Sequence, residues 1–188
     1  VGRIAIFIDG GYIEKVLKAE FECANIDFVN FSNKIAEMIS PENELLRTYY
    51  YHSLPYKGNP PTEEESDRFS KRQSFYDALN KKPRFEVRLG RLVRRGPNAN
   101  GNYFFEQKMV DSLLNIDLVY LSAKGKITHA AIVAGDGDFV PAVQLAKKEG
   151  VIVWLFHGHH KHAELWQAAD ERRLLQRNFI DSIRFERQ

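Results

Sequence analysis

Short apolar runs rich in β-branched and aromatic residues recur along the chain, with stretches of mixed polarity between them. Residues 3–8 (Arg3-Ile4-Ala5-Ile6-Phe7-Ile8) show no polar alternation after their first position. That is the pattern of a strand buried on both faces, as in a parallel sheet. Residues 129–134 and 151–156 repeat it. Residues 44–53, built around Arg47-Thr48-Tyr49-Tyr50-Tyr51, and residues 85–93 also read as extended. Helices are expected at 12–24, at 31–39 (stopped by Ser40 and Pro41), at 63–79, at 106–121, and at 139–149 before Gly150. In the fourth of these, Val110, Leu113, Leu114, Leu118 and Leu121 form one apolar stripe. Pro55, Gly58, Pro60 and Pro61 mark a loop, and residues 95–102 a mobile turn. Strands alternating with helices predict an α/β fold: a three-layer, doubly wound, mostly parallel sheet in a single domain over residues 1–188.

Composition narrows the setting. With 44% hydrophobic and 28% charged residues, the chain has a globular balance and not a disordered one. No apolar run approaches the roughly 20 residues of a membrane-spanning helix, and no basic, apolar leader stands at the start. Cys23 is the sole cysteine, so an internal disulfide is excluded. A soluble cytoplasmic protein with no membrane partner is the expectation. The net charge of +2 says little, but its distribution says more. Between residues 81 and 95, seven basic residues face Glu86 alone, which suits an anionic partner touching one face.

In a doubly wound sheet, ligands bind outside the carboxyl ends of the strands. Asp9 follows the first strand, and Asp136 follows the strand at 129–134 inside Gly135-Asp136-Gly137-Asp138. Each has a plainer reading: Asp-Gly is an ordinary turn, and Asp138 stands where a helix N-cap would, with Pro141 in the first turn. Two acidic turns at one sheet edge favour the functional reading. Carboxylates about 5 Å apart repel by roughly 3 kcal/mol at an effective dielectric near 20, unless protonation or a divalent cation removes the charge. Magnesium fits, because it accepts a few carboxylates and completes its shell with water and phosphate. On the helix at 106–121, Asp111 lies at the edge of the apolar stripe, where it can reach a cleft. Asp117 lies within the stripe, where a buried carboxylate satisfied by nearby groups is expected. Lys108, one turn before Asp111, is either a phosphate contact or a solvated lysine. The run His157-Gly158-His159-His160-Lys161-His162 matches no closed zinc site and reads as a solvated loop, with phosphate contact open to its protonated form. Cys23 has no partner motif and is given no role.

Three blocks carry a resemblance: Ile6-Phe7-Ile8-Asp9-Gly10-Gly11, Lys108-Met109-Val110-Asp111 with Asp117 six residues on, and Ala134-Gly135-Asp136-Gly137-Asp138-Phe139-Val140-Pro141. Together with Leu165-Trp166-Gln167-Ala168-Ala169-Asp170, they resemble the signature blocks of NYN domains, the LabA-like branch of the PIN-like nucleases. The resemblance implies Mg²⁺- or Mn²⁺-dependent cleavage of RNA, with one or two ions held by Asp9, Asp111, Asp136 and Asp138. It places Asp117 and Tyr12 behind those ligands. Tyr12 stands where the family often has Asn. The chemistry implied is in-line attack of a metal-activated water on phosphorus.

For the RNA, expected to be single-stranded, Lys108, Arg88, Arg91, Arg94 and Arg95 offer phosphate contacts. Tyr103, Phe104 and Phe105 are either stacking platforms or core residues. Tyr49, Tyr50, Tyr51 and Tyr56 suggest a homo-oligomer surface. Two rivals stand beside this reading. One is a non-catalytic RNA- or protein-binding module. The other is a phosphatase of the haloacid dehalogenase type, against which Gly11 replaces the second aspartate that such enzymes carry.

Overall fold

The computed structural model of the chain describes residues 1–97, 101 and 103–185, apart from the side chains at 93, 95 and 103–108. In chain order its elements are β1 (Arg3–Asp9), α1 (Gly10–Glu20), α2 (Phe28–Ile39), β2 (Glu44–Ser53), α3 (Glu63–Asn80), β3 (Phe85–Pro97) and β4 (Tyr103–Lys108). There follow α4 (Val110–Ala123), β5 (His129–Val133), a 3-10 turn (Gly137–Phe139), α5 (Val140–Lys148), β6 (Ile152–His157), α6 (Ala163–Ala168), β7 (Glu171–Leu174) and α7 (Arg177–Asp181). The strands form one sheet in the order β4-β3-β2-β1-β5-β6-β7. All pairs are parallel except β3 with β4.

Alternation along β1 builds two cores. Ile4, Ile6 and Ile8 point into one, with residues of α1, α2, α3 and α7. Ala5 and Phe7 point into the other, with residues of α4, α5 and α6. The sheet is therefore the middle of three layers, as the pattern predicts. Tyr50 and Tyr51 go to opposite cores and are fully buried, while Tyr49 and Tyr56 are half-buried. Tyr50 and Tyr51, expected at the surface, are thus interior packing, and Tyr49 stacks on Phe7 with ring centroids 5.5 Å apart.

The chain winds outward from β1 to β2 and β3, then returns through α4 to β5 on the other side of β1. The order reverses between β1 and β5, where Ile8 lies beside Val133. A crevice opens at the carboxyl ends of strands at such a reversal.

Local signals explain most boundaries. Asp27 caps α2 by accepting from Val29 and Asn30 N–H at 2.9 and 3.1 Å, so the helix begins before Phe31. Thr62 and Glu65 cap α3 reciprocally. The helix expected at 106–121 is divided: β4 ends at Lys108, Met109 takes a left-handed φ of 73°, and α4 begins at Val110. The apolar stripe itself starts at Val110, so residues before it carried no helical signal, and pairing with β3 decides them. Of the expected turn at 95–102, residues 95–97 belong to β3, and 98–100 and 102 lie outside the described residues.

β3 pairs with β2 only as far as Gly90 opposite Ser53. From Arg91 on it pairs with β4, so a two-stranded arm continues past the carboxyl edge of β2. Among the described residues no helix is long and apolar enough to cross a membrane.

Candidate active site

The crevice between β1 and β5 holds a cleft of about 570 Å³. Asp9, Asp111 and Asp136 line it, brought from the end of β1, the first turn of α4 and the segment after β5. Asp9 ends β1 and caps α1: its Oδ1 accepts from the Tyr12 N–H at 3.0 Å, which fixes the carboxylate at the junction. Asp136 does the same one strand over, accepting from the Asp138 N–H at 3.0 Å. Asp111 arrives because the left-handed Met109 turns the chain from β4 into α4.

Asp138 does not line this cleft. It lines a shallow groove beside it with Asn115, Ile116 and Pro141. Nor does its side chain cap α5. That N-cap is Phe139, without a side-chain bond, and the capping carboxylate of this segment is Asp136.

These carboxylates sense one another. Burial pushes the Asp9 carboxyl from 3.8 up to about 6, against the Tyr12 N–H that favours its charged form, and neighbouring Asp111 adds to the rise. Asp111 is held above its ordinary range by burial and then by Asp136 and Asp138. Such mutual destabilisation is relieved by a proton or a cation.

Among the described residues no three histidine, cysteine, aspartate or glutamate side chains are grouped so as to hold a metal ion by themselves. The donor chemistry still fits a hard divalent cation. Magnesium retains several waters and needs only one or two carboxylates plus phosphate oxygens, and a cleft with three acidic residues supplies that.

The remaining candidates divide. Tyr12 lines the cleft, and its ring lies so closely against Gly135 that no Cβ fits there. Asp117 is outside the cleft: its carboxylate accepts from Tyr51 Oη at 2.8 Å and from Arg88 Nε and Nη2 at 3.1 Å each. It is the satisfied carboxylate that the stripe position predicts. Arg88 is correspondingly engaged within the fold, with Glu86 as a second partner at 3.5 Å. Arg91 and Arg94 are exposed on the arm, and Arg94 lies over the Tyr56 ring at 5.6 Å. None of these three arginines lines the cleft. The side chains of Lys108, Arg95, Tyr103, Phe104 and Phe105 lie outside the described residues.

Four basic residues that the sequence reading did not place in the site also line it: Lys15, His160, Lys161 and His162. Signals for them existed. Lys15 is one helical turn beyond Gly11, and the histidine run follows β6 at the same carboxyl edge as Asp9 and Asp136.

A comparison with family models matches residues 3–175 to the NYN domain. No curated protein matches the chain. NYN domains belong to the PIN-like nuclease superfamily, whose members act on RNA and generally use divalent metals.

Proposed function

The chain belongs to the NYN domain family, and we propose that it is a Mg²⁺- or Mn²⁺-dependent ribonuclease that hydrolyses single-stranded RNA in the cleft between β1 and β5. The observation that carries this reading is the convergence of Asp9, Asp111 and Asp136 from three separate elements, with Asp9 and Asp111 both raised in pKa. A fold does not keep such groups together for stability; a cationic ligand gives the arrangement a purpose.

Asp9 and Asp136 act as the principal ligands, with Asp111 beside them, while Asp138 stands in the neighbouring groove and acts on the site through its charge on Asp111. A bound divalent ion supplies Lewis-acid polarisation of a phosphoryl oxygen and an acidified water. The chain's own part is positional. Backbone N–H groups of Tyr12 and Asp138 hold the two principal carboxylates in fixed directions. The arm bearing Arg91 and Arg94 stands beyond the same sheet edge and meets flanking phosphates. Gly11, where phosphatases of the haloacid dehalogenase type carry a second aspartate, argues against aspartyl-phosphate chemistry. One observation favours a second reading, RNA binding without hydrolysis: the acidic residues form no closed ligand set among the described residues.

Cleavage of end-labelled single-stranded RNA with Mn²⁺, Mg²⁺ or EDTA separates the two. Wild type is expected to cut only with metal. Asp9→Asn and Asp136→Asn are each expected to lose more than about a hundredfold, since loss of groups merely supporting a ligand already costs 10–100-fold. Inert wild type on structured and unstructured RNA defeats the nuclease reading.

A further inference from the structure

The loop between β6 and α6 is sewn to the cleft. Tyr12 Oη accepts from the Gly158 N–H at 2.9 Å and donates to the His160 carbonyl at 2.7 Å. Glu20 Oε1 accepts from the His159 N–H at 2.8 Å. The His162 N–H donates to the Gly135 carbonyl at 2.8 Å, joining the loop to the segment after β5. Its ring lies against Gly137, where a Cβ would be 2.9 Å from Nδ1. Residues 159–162 are solvent-exposed, as the sequence predicts, but the loop is tethered at its backbone, and Lys161 is the one residue of 158–162 whose backbone and side chain have no partner among the described residues.

Lys161 shares the cleft with Lys15 from α1. Most cations with a described partner elsewhere meet a carboxylate: Arg72 with Glu14, Arg88 with Asp117, Lys147 with Asp170, Arg177 with Glu22. Among the described residues Lys15 and Lys161 make no ion pair and no hydrogen bond, although Asp9, Asp111 and Asp136 line the same cleft. The two ammonium groups thus lie beyond ion-pair reach of these carboxylates, in a cleft whose volume of about 570 Å³ has room for a ligand. An oxyanion satisfies the basic members and, through a cation, the acidic ones.

We propose that Lys15 and Lys161, flanked by His160 and His162, form a phosphate-binding subsite for RNA, and that Tyr12 is the positioning residue that holds its loop half in place. The subsite deepens the ribonuclease reading by assigning the grip on substrate within the cleft. The phosphate belongs either to the backbone or to a 5′ end. A lysine serves as a point charge for either, and a preorganised loop lowers the entropy cost of contact.

The test is binding of a short 3′-labelled single-stranded RNA by fluorescence anisotropy in EDTA, over a range of salt, where no hydrolysis occurs. Lys15→Ala and Lys161→Ala are each expected to weaken binding roughly tenfold, the equivalent of one charge-assisted hydrogen bond. Each is expected to lower the slope of log affinity against log salt by about 0.7. Lys124→Ala, at the far sheet edge, leaves both unchanged. Tyr12→Phe weakens binding, and Tyr12→Phe with Lys161→Ala is no weaker than Lys161→Ala alone, because the two act through one loop; additive losses would remove Tyr12 from the subsite. A 5′-phosphorylated RNA that binds more tightly than its 5′-hydroxyl form, with the difference lost in the lysine variants, identifies the terminal phosphate. Equal binding of the two forms identifies the backbone. Unaltered affinity and slope in both lysine variants, or no binding by wild type, overturns the subsite. Cleavage assays stay separate: metal-dependent cutting with unaltered lysine variants leaves the nuclease reading intact and the subsite refuted, and the reverse pattern does the opposite.

Discussion

At the scale of single residues, Asp9 carries two demands that conflict. Its carboxylate caps α1, which favours charge, while burial and Asp111 oppose charge and lift its pKa to about 6. The folded-state value therefore lies above the unfolded value near 3.9, and the native state holds the extra proton between the two. This contribution to stability is complete below about pH 4 and is lost as pH rises through about 6. Asn keeps the cap and carries no charge. Metal-free Asp9→Asn is therefore expected to match wild type at pH 4 and to exceed it above pH 6 by up to about 3 kcal/mol. Urea denaturation at several pH values reads this directly, and a gap that is constant with pH would contradict it. Activity would be lost in the same variant, the usual relation between a destabilised site and its function.

Elements bring together residues that no local pattern connects. Asp117 of α4, Tyr51 of β2 and Arg88 of β3 meet in one hydrogen-bonded group between helix and sheet. Asp117→Ala leaves the buried Tyr51 hydroxyl without its acceptor and Arg88 without its partner. A loss of about 2 kcal/mol is expected, held below the cost of a fully buried pair because the Arg88 side chain is 35% exposed. Asp117→Asn retains an acceptor for Tyr51 and is expected to cost about half as much. Thermal unfolding checks both, and neither should change the response to Mn²⁺, since Asp117 lies outside the cleft. The same helix delivers Asp111 only because Met109 adopts a left-handed φ. A non-glycine residue rarely does so, and nothing in Lys108-Met109-Val110 announced it.

For the whole molecule, the order reversal between β1 and β5 decides where charge collects. Ligand binding to the native state alone raises stability by RT ln(1 + [L]/Kd), about 2.7 kcal/mol at a hundredfold excess over Kd. Mn²⁺ or Mg²⁺ is therefore expected to raise the unfolding temperature by several degrees. Asp136→Asn should abolish most of that rise, as calorimetry with and without EDTA would show. An identical rise in wild type and variant would place the ion elsewhere.

Much of this was written in the chain. Uninterrupted apolar runs of strand length, rich in β-branched and aromatic residues, read as strands buried on both faces, so β1, β5 and β6 and the three-layer fold were legible, as was the edge at which Asp9 and Asp136 stand. Tertiary structure decided the rest. β4 exists because β3 offers it a partner, and β7, with the sequence Glu171-Arg172-Arg173-Leu174, is a strand through pairing with β6 alone. The burial of Tyr50 and Tyr51 and the capture of Arg88 depend on which layer covers which face. Periodicity records how each segment meets water, so it fixes the faces of helices and strands. It records nothing of which distant segment approaches. For that reason Lys15 and the basic loop joined the aspartates in one cleft only once the chain had folded.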